Sequence, residues 1–319
     1  MIALLFPGQG AQTPGFLHQL PDHEQVRATL AQASEVLAAD VLQLDTEQAL
    51  QSTVAVQLAL LIAGVAAARA LHAEGVTPSL AAGLSIGAYA AAVVCGALDF
   101  SDALQLVRRR AQLMEQAYPS GYGLAALVGL NEQQVGALVD GLRAEQQVEV
   151  YLANLNGPRQ IVVAGSDAGL ALLLVRASQA GARRAERLAV SVPSHCELLA
   201  DAARELASMA STLRFRTPQI PYIGNRSARA LRSGQAIRDD LVENIRYPVR
   251  WHDSLRLMVE LGTTSFIEAP PGQVLTGLIN EAIPELAAQN TALIQALPMA
   301  SGGLARTVAM VRAHQADSR

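Results

Sequence analysis

The chain has 319 residues, of which 51% are hydrophobic and 16% charged, and its formal net charge at pH 7 is −4. This length and apolar content predict one large domain or two lobes with a substantial buried core. The negative net charge and an aromatic content of only 4% argue against a nucleic-acid partner.

We expect neither a targeting segment nor a membrane span. The first ten residues, MIALLFPGQG, lack a basic leader, and their apolar run stops at Pro7, unlike a signal peptide. Residues 53–71 are the one candidate span, but they contain Gln57 and Arg69 and many alanines, which favours a buried helix. Two cysteines are too few for a disulfide framework or a zinc site and predict a reduced, cytoplasmic setting.

The first 118 residues alternate between apolar strands and helices. We predict, in chain order, a buried strand at 2–6, a loop at 7–15, helices at 24–39 and 53–73, a short strand leading to Ser85, a helix ending near Gly96 and a helix ending near Tyr118. Gly75, with Pro78 beyond it, is a stop signal for the second helix, and Asp99 or Ser101 can cap the last one.

Between residues 123 and 192 the pattern changes to shorter strands and helices. LAALVGL, VEVYLANL, QIVVAG and AERLAV are typical of strands, and NEQQVGALVDGLRA and DAGLALLLVRASQAG are typical of helices. The resulting order, β-α-β-β-α-β, is the ferredoxin-like arrangement. We therefore predict an α/β protein in which a small subdomain at 123–192 is inserted into a larger α/β subdomain formed by 1–122 and 193–319.

A serine lies between two glycines at the start of an alanine-rich helix. Gly83-Leu84-Ser85-Ile86-Gly87 fits G-x-S-x-G, the nucleophile elbow at which a chain leaves a strand, turns sharply and enters a helix. Glycine is expected at both ends because a side chain would collide in that turn. The pattern also arises by chance in a chain rich in alanine and glycine, so other residues must support it.

A serine nucleophile needs a general base. His195 is the histidine that stands out, because it follows a predicted strand, lies at the expected start of a helix and falls at the junction of the two subdomains, where clefts form. The alternative is that Ser194 caps this helix and His195 is incidental.

A serine acyl transfer also needs main-chain N–H donors for an oxyanion. The elbow supplies the N–H of Ile86, at a helix N-terminus. We expect a second donor from FPGQGAQ, the loop after the first strand, whose two glycines permit a close approach and whose polar residue is Gln9. An ordinary glycine turn is the alternative.

Arg110 is the most informative charged residue. It falls on the apolar stripe of the helix that ends near Tyr118, whereas Arg108 and Arg109 turn away from that stripe. Snorkelling to solvent is one explanation. The other is an anionic partner, because an unpaired buried charge is unfavourable and a guanidinium matches a carboxylate in a two-bond fork.

Seven segments together resemble the malonyl-CoA:acyl carrier protein transacylase family over nearly the whole chain. They are FPGQGAQ, GLSIGAYAA, RRRAQLMEQA, ANLNGPRQIVVAG, VSVPSHCELL, YPVRW and APPGQVLTGLI. The resemblance implies an α/β-hydrolase-like large subdomain with an inserted ferredoxin-like small subdomain. It also implies transfer of a malonyl group from malonyl-CoA to the prosthetic-group thiol of an acyl carrier protein, with no permanently bound cofactor and no metal.

The family's roles are carried over where the motifs match. The resemblance implies Ser85 as the acylated nucleophile, His195 as its general base and then its general acid, and Arg110 as the group that holds the malonyl carboxylate. Gln9 and Ile86 would supply the main-chain donors to the oxyanion.

Asn156 and Asn244 are the supporting residues that the resemblance implies. In the family a main-chain carbonyl, commonly that of a glutamine, orients the histidine, and Asn244 occupies the corresponding position. Because this carbonyl belongs to the main chain, we expect the exchange to be harmless.

The elbow departs from the family's common G-H-S-L-G-E at Leu84, Ile86 and Ala88. GLSIGAYAA resembles the epsilon subunit of malonate decarboxylase, which is implied to act on a carrier subunit whose phosphopantetheine-like arm is of the phosphoribosyl-dephospho-CoA type. The alternatives are a free-standing malonyl transacylase of fatty-acid or polyketide synthesis, a thioesterase or esterase, and a non-catalytic module that docks the carrier.

Overall fold

The computed structural model describes residues 1–289 and 294–317; residues 290–293 and 318–319, which belong to the predicted large subdomain, lie outside the described residues. The strands are β1 (Ile2–Phe6), β2 (Leu80–Gly83), β3 (Tyr122–Val128), β4 (Val150–Gly157), β5 (Gln160–Ser166), β6 (Arg184–Arg187), β7 (Tyr222–Ile223), β8 (Ala230–Leu231), β9 (Ser265–Glu268) and β10 (Gln295–Pro298). The helices are α1 (Glu24–Leu37), α2 (Thr53–Ala73), α3 (Gly87–Val94), α4 (Phe100–Ala117), α5 (Glu132–Gln146), α6 (Asp167–Gln179), α7 (Ala200–Ala210), α8 (Gly234–Glu243), α9 (Trp251–Glu260), α10 (Val274–Gln289) and α11 (Met299–Asp317). This architecture confirms the predicted α/β class.

The larger sheet has six strands in the order β10-β9-β1-β2-β7-β8. Its neighbouring strands pair in parallel, apart from the antiparallel pair of β7 and β8. At the carboxyl ends of β1 and β2, Phe6 pairs with Gly83. Ligands commonly bind at this end of an open α/β sheet, so the two loops that follow these strands mark a place for a site.

The two faces of this sheet bury separate cores. Along β1, Ile2, Leu4 and Phe6 belong to one core, and Ala3 and Leu5 belong to the other, because successive side chains of a strand point to opposite faces. All five residues are buried. Burial on both faces explains why this strand is apolar throughout instead of alternating with polar residues.

Helix α2 contains residues 53–71, the candidate membrane span of the sequence. It is long and apolar enough by length and composition, with a mean hydropathy of 2.0, yet 89% of its most apolar window is buried inside the protein. The helix begins after Ser52, whose side chain accepts a hydrogen bond from the N–H of Val54, and is followed by Gly75 with a positive φ of 81°. It packs against α1, α3 and α4, as expected of a core helix.

Helix α4 carries the expected apolar face, but its start differs in one detail. Asp99 is the N-cap residue, yet its side chain makes no capping hydrogen bond. Its two carboxylate oxygens instead accept hydrogen bonds from Arg216, at 2.8 and 2.7 Å. Asp99 therefore occupies the predicted N-cap position, but its carboxylate binds the guanidinium of Arg216 and does not cap the helix.

The smaller sheet is antiparallel, with the strand order β4-β5-β3-β6. Helices α5 and α6 connect its strands in the chain order β-α-β-β-α-β. Strand β6 ends at Arg187 and is shorter than the segment AERLAV that we predicted. The boundaries of an inserted subdomain at 123–192 stay a prediction.

The smaller sheet meets the rest of the chain at Val249. The N–H of Val249 donates to the carbonyl of Ala153, and the carbonyl of Val249 accepts from the N–H of Leu155, at 2.9 and 2.8 Å. These bonds extend β4 by a parallel bridge. They fix the segment around residue 249 beside the smaller sheet, only a few residues beyond Asn244.

Candidate active site

Ser85 lies at the sharp turn between β2 and α3. Its φ of 56° is in the left-handed region, which non-glycine residues rarely adopt and which recurs at functional sites. A Cβ at Gly83 would lie 2.0 Å from the carbonyl carbon of Gly87, and one at Gly87 would lie 2.1 Å from the carbonyl oxygen of Phe6. The structure thus confirms that side chains at these two positions would collide in the turn.

Hydrogen bonds hold this turn from both sides. The N–H of Leu84 donates to the carbonyl of Phe6 at 2.9 Å. On the other side, the Asn225 side chain accepts from the N–H of Ser85 at 2.9 Å and donates to the carbonyl of Gly83 at 2.7 Å. Asn225 was not predicted from the sequence, because nothing in the segment that contains it indicates that its amide reaches a serine 140 residues away.

His195 forms a direct pair with Ser85. Its Nε2 lies 2.8 Å from the Ser85 Oγ, and its Nδ1 lies 2.6 Å from the main-chain carbonyl oxygen of Asn244. Since a carbonyl can only accept, Nδ1 carries the hydrogen and Nε2 is free to accept the hydroxyl proton of the serine. This is the hydrogen-bonding geometry of a serine with its general base.

The backbone around His195 differs from the predicted helix start. His195 has a φ of 66° and donates its N–H to the carbonyl of Ile245 at 2.8 Å. A short 3-10 helix begins only at Glu197, and its N-cap residue is Cys196 rather than Ser194. His195 therefore lies in a loop before this helix, because its left-handed backbone conformation is incompatible with a right-handed helix.

The surroundings of His195 keep its imidazole neutral. Burial, and secondarily the positive charge of Arg110, lower the pKa of His195 from 6.5 to about 3, although the carbonyl of Asn244 opposes this shift. Both causes disfavour the protonated form. A neutral imidazole next to the Ser85 hydroxyl is the state that can remove a proton.

Arg110 is fully buried on α4 and faces the Ser–His pair. One terminal nitrogen donates to the side-chain carbonyl of Gln57 at 2.6 Å, and the other reaches the Ser85 Oγ at 3.2 Å and the Asn244 Oδ1 at 3.1 Å. Its guanidinium carbon also lies 5.7 Å from the centre of the Tyr89 ring. The sequence had indicated that this arginine points inward, but it did not reveal that Gln57 of α2 is its partner.

Within the described residues, the guanidinium of Arg110 hydrogen-bonds to neutral groups alone. Among residues 1–289 and 294–317, no Asp or Glu forms an ion pair with it, and its Nε is buried without an acceptor. Burial lowers the pKa of this guanidinium. Because a desolvated cation is unfavourable without a counter-charge, this arrangement favours an anionic group of a ligand next to Ser85.

The predicted oxyanion donors lie on the two loops that follow β1 and β2. Ile86 is the N-cap residue of α3, and Gln9 is a partly exposed residue of the loop after β1. This loop lies on the elbow, since a Cβ at Gly8 would be 2.7 Å from the side chain of Leu84. Within the described part of the chain, neither the Gln9 nor the Ile86 N–H donates to a protein acceptor, so both can bind a ligand oxygen.

The two supporting asparagines differ in their contacts. Asn244 is buried, and besides its bonds to His195 and Arg110 its Nδ2 lies 3.4 Å from the main-chain carbonyl of Ser85. The Oδ1 of Asn156 is buried without a hydrogen-bond partner among the described residues. The structure thus brings Asn244 into the Ser–His–Arg cluster, and it gives Asn156 no bond to that cluster.

The three elbow residues that depart from the family's common pattern differ in burial. Ile86 and Ala88 are buried and Leu84 is partly buried.

The described residues also show the surroundings of the cysteines and of possible metal ligands. In the described ranges, no three His, Cys, Asp or Glu side chains converge in a way that could hold a metal ion. Cys95 and Cys196 are both buried, and burial raises the pKa of each thiol to about 12, which leaves them unreactive.

Comparison with known proteins gives a consistent match along the chain. The sequence model of the family described as "Acyl transferase domain" matches residues 3–316. The malonyl CoA-acyl carrier protein transacylase of Escherichia coli (strain K12) is 38% identical over 292 residues, which are 90% of this chain and 94% of that protein. The protein with the same name from Bacillus subtilis (strain 168) is 38% identical over 288 residues, 88% of this chain and 90% of its own.

Solved structures agree with these relatives. FabD from Acinetobacter baumannii superposes with a TM-score of 0.90 at 31% identity and covers 98% of both chains. A malonyl-transacylase solved in complex with a type II PKS acyl-carrier protein superposes with a TM-score of 0.85 at 36% identity, over 93% of this chain and 94% of that chain. The fold and its length are therefore shared with these proteins.

Proposed function

The chain belongs to the acyl transferase domain family, and from this premise we propose that it is a malonyl-CoA:acyl carrier protein S-malonyltransferase that acts through a malonyl-Ser85 intermediate. One observation carries the proposal. A buried arginine with only neutral partners lies 3.2 Å from the same serine oxygen that lies 2.8 Å from a neutral histidine nitrogen. A nucleophile, its base and a carboxylate-binding group thus meet at one atom.

In the first half-reaction, His195 Nε2 takes the hydroxyl proton while Ser85 Oγ attacks the thioester carbon of malonyl-CoA. The carbonyl of Asn244 accepts from Nδ1 and keeps the imidazole in the required tautomer. The N–H groups of Gln9 and Ile86 bind the oxyanion of the tetrahedral intermediate. Removing one such donor typically costs about 10²–10³-fold in rate.

The intermediate then collapses. The bond between the carbonyl carbon and sulfur breaks, and the protonated His195 gives its proton to the departing CoA thiolate. The low pKa of this histidine favours the release of that proton. The products are CoA and a malonyl ester on Ser85.

In the second half-reaction, the thiol on the arm of the carrier protein attacks the malonyl-Ser85 ester. His195 takes the thiol proton, and the serine recovers its hydrogen as the ester bond breaks. Both half-reactions use the same groups in opposite order, so no further side chain and no permanently bound cofactor is required. The partners are malonyl-CoA and an acyl carrier protein.

Arg110 sets the preference for a dicarboxylic acyl group. Its guanidinium offers a fork of donors to the distal carboxylate of malonyl-CoA. Acetyl-CoA would leave the buried cation without a counter-charge, and sites built around a polar partner reject analogues that lack it. We therefore expect malonyl transfer to be strongly favoured over acetyl transfer.

The finer assignment that we propose is the epsilon subunit of malonate decarboxylase, acting in the cytoplasm. It rests on the elbow residues Leu84, Ile86 and Ala88, which depart from the common pattern of the family. The carrier would then bear an arm of the phosphoribosyl-dephospho-CoA type.

A free-standing malonyl transacylase of fatty-acid or polyketide synthesis is the second candidate. Its support is the 38% identity to a malonyl CoA-acyl carrier protein transacylase and the likeness to a malonyl-transacylase solved with a type II PKS acyl-carrier protein. The two candidates share the chemistry at Ser85 and differ in the carrier protein that accepts the malonyl group.

The first experiment measures acylation of Ser85. The protein and its Ser85→Ala variant are incubated with malonyl-CoA or acetyl-CoA, and the intact mass is read by mass spectrometry. We expect a malonyl adduct on the wild type alone and little adduct from acetyl-CoA. Free malonate without an adduct would indicate a thioesterase, and neither adduct nor turnover would indicate a docking module; either result would contradict the proposal.

A second experiment identifies the carrier. Purified carrier proteins, one with a phosphopantetheine arm and one with a phosphoribosyl-dephospho-CoA arm, are added to the malonylated protein. Faster transfer to the second carrier supports the decarboxylase assignment. Faster transfer to the first contradicts that assignment and supports the second candidate.

A further inference from the structure

We infer that the side-chain amide of Asn225 is a positioning group for the nucleophile. The amide takes the place of a peptide group that β7 does not supply, and it holds Ser85 in its left-handed conformation. This inference rests on the proposed function of Ser85, because its role is to prepare that serine for acylation. Asn225 contacts the main chain of the elbow on β2 and does not belong to the Ser–His–Arg cluster.

The hydrogen-bond pattern carries the inference. Strands β2 and β7 pair in parallel at Ala81–Tyr222 and Ala82–Ile223, and the ladder ends there, before the elbow. In a parallel ladder, one residue donates its N–H to the residue before its partner and accepts from the residue after it. The Asn225 amide does the same around Leu84, since its Nδ2 donates to Gly83 and its Oδ1 accepts from Ser85.

The side-chain amide therefore acts as a peptide group that β7 does not supply. Its two bonds, of 2.7 and 2.9 Å, bracket the residue before the nucleophile. On the opposite edge the N–H of Leu84 is bonded to Phe6. The turn is thus hydrogen-bonded on both edges up to Ser85, although β7 ends at Ile223 and does not extend that far.

The main chain at Asn225 is fixed by Asp240 of α8. The carboxylate of Asp240 accepts from the N–H groups of Asn225 and Arg226, at 3.1 and 3.2 Å, and from the hydroxyl of Tyr222 at 2.8 Å. The carbonyl of Asn225 accepts from the N–H of Arg250 at 2.9 Å. Asn225 is only 3% exposed. A buried side chain with this many anchored neighbours has little freedom to rotate away from the elbow.

Helix α8 connects this support to the base. Asp240 lies in its last turn, and the N–H of Asn244, at its C-cap, donates to the carbonyl of Asp240 at 2.9 Å. The carbonyl of Asn244 in turn holds His195. One rigid turn of helix therefore fixes both the elbow, through Asn225, and the imidazole, and it sets the spacing between Oγ and Nε2.

Asparagine is the residue that this role requires. An aspartate has the same size and accepts from Ser85, but its ionised carboxylate has no hydrogen to donate to the Gly83 carbonyl, and two oxygens would face each other. A protonated aspartate regains one O–H donor. The Asn225→Asp variant therefore separates the donor from the shape of the side chain.

The test compares Asn225→Asp, Asn225→Ala and Asn131→Ala with the wild type. Asn131 caps α5 through a capping box with Gln134, so its loss lowers stability without removing a hydrogen bond of the turn. Three quantities are measured: the rate and substrate dependence of Ser85 malonylation, the rate of Ser85 sulfonylation by phenylmethylsulfonyl fluoride, and the thermal midpoint. Sulfonylation reports the nucleophile independently of malonyl-CoA.

We expect Asn225→Asp and Asn225→Ala to slow malonylation and sulfonylation by about 10²-fold, because a shift of about 1 Å at the reacting atom has an effect of that size. The concentration of malonyl-CoA at half-maximal rate should stay close to that of the wild type, since Arg110 is unchanged. Asn131→Ala should retain the wild-type rates. As the pH falls from about 8 to about 5, the rate of Asn225→Asp relative to the wild type should rise at least ~10-fold as the new carboxyl gains a proton.

Several results would overturn the inference. One is an Asn225→Asp variant whose Ser85 is sulfonylated at the wild-type rate. Another is an Asn225 variant that loses no more rate than Asn131→Ala does when the two have the same thermal midpoint. A rate of Asn225→Asp that stays in constant ratio to the wild type at every pH would remove the donor role. A wild type that reacts with the sulfonyl fluoride and not with malonyl-CoA would instead contradict the proposed function and leave the positioning of Ser85 intact.

Discussion

The proposed nucleophile, Ser85, and the side chains around it are specified in two different ways. Ser85 sits in a turn whose sequence pattern lies within five residues, from Gly83 to Gly87. His195, Arg110 and Asn244 come from three distant segments and meet only through long-range packing. The difference suggests that the elbow should respond to a change of shape, whereas the cluster around it should respond to changes of charge and hydrogen bonding.

The largest effect is expected for Gly87→Ala, which tests the shape of the elbow. A Cβ at this position would lie 2.1 Å from the carbonyl oxygen of Phe6 and 2.8 Å from that of Pro7. Both contacts are with main chain that cannot easily move, so we expect loss of Ser85 acylation and a lower thermal midpoint. Gly136→Ala is the matched control, because a Cβ there meets no atom within 4 Å. Wild-type acylation by Gly87→Ala would contradict this geometry.

Arg110→Ala tests the charge of the cluster. We expect kcat/KM for malonyl-CoA to fall by about 10²-fold or more, because the variant loses a pair of charge-assisted hydrogen bonds to the substrate carboxylate. Acetyl-CoA should lose far less, so the selectivity ratio should collapse. Arg109→Ala is the control on the same helix, since its side chain is 39% exposed and pairs with Glu205 at the surface; it should change neither substrate's rate. An unchanged malonyl-to-acetyl ratio in Arg110→Ala would refute the carboxylate role.

Asn244→Asp tests whether the side chain of this residue affects activity, in addition to the main-chain carbonyl that holds His195. The new carboxylate would lie where the Oδ1 now accepts from Arg110 at 3.1 Å and would compete with the substrate carboxylate. We expect kcat/KM for malonyl-CoA to fall about 10-fold, because the substrate carboxylate would lose about one charged hydrogen bond to Arg110. The rate with acetyl-CoA should fall less. Asn244→Gln, the residue that the family commonly has there, should stay close to the wild type. Equal losses for both substrates would show that Asn244 serves only the histidine.

The smallest effect is expected from pH. Protonated His195 cannot act as a base, so activity should fall only as the pH approaches its pKa. Burial and Arg110 lower that pKa from 6.5 to about 3, so kcat/KM for malonyl-CoA should lack an acidic limb near pH 6.5. In Arg110→Ala one of the two causes is removed, and the limb should move toward higher pH. A wild-type limb at the ordinary histidine value would show that His195 is more solvated than its burial indicates.

The same contrast separates what could be predicted at the site from what could not. Ser85 and its two glycines were predicted from the G-x-S-x-G pattern, and the position of Arg110 on the apolar face of α4 was predicted from helical spacing. Gln57 and Asn225 could not be predicted, because each acts on a group more than 50 residues away and neither stands in a recognisable pattern. The predicted helix start at His195 was wrong, because His195 has a positive φ and donates its N–H to Ile245, a residue distant in sequence.

The sequence by itself predicted the α/β class, the apolar β1, the core helix α2 and the elbow, and it placed Arg110 on the apolar face of α4. These depend on periodicity and on backbone sterics, which act over a few residues. Only the tertiary structure decided which carbonyl holds His195, which amide holds Ser85, and that Arg110 has neutral partners alone. Those features depend on hydrogen bonds between segments distant in the chain, and their distances are set by the packing of α8, β2 and the loop before α7.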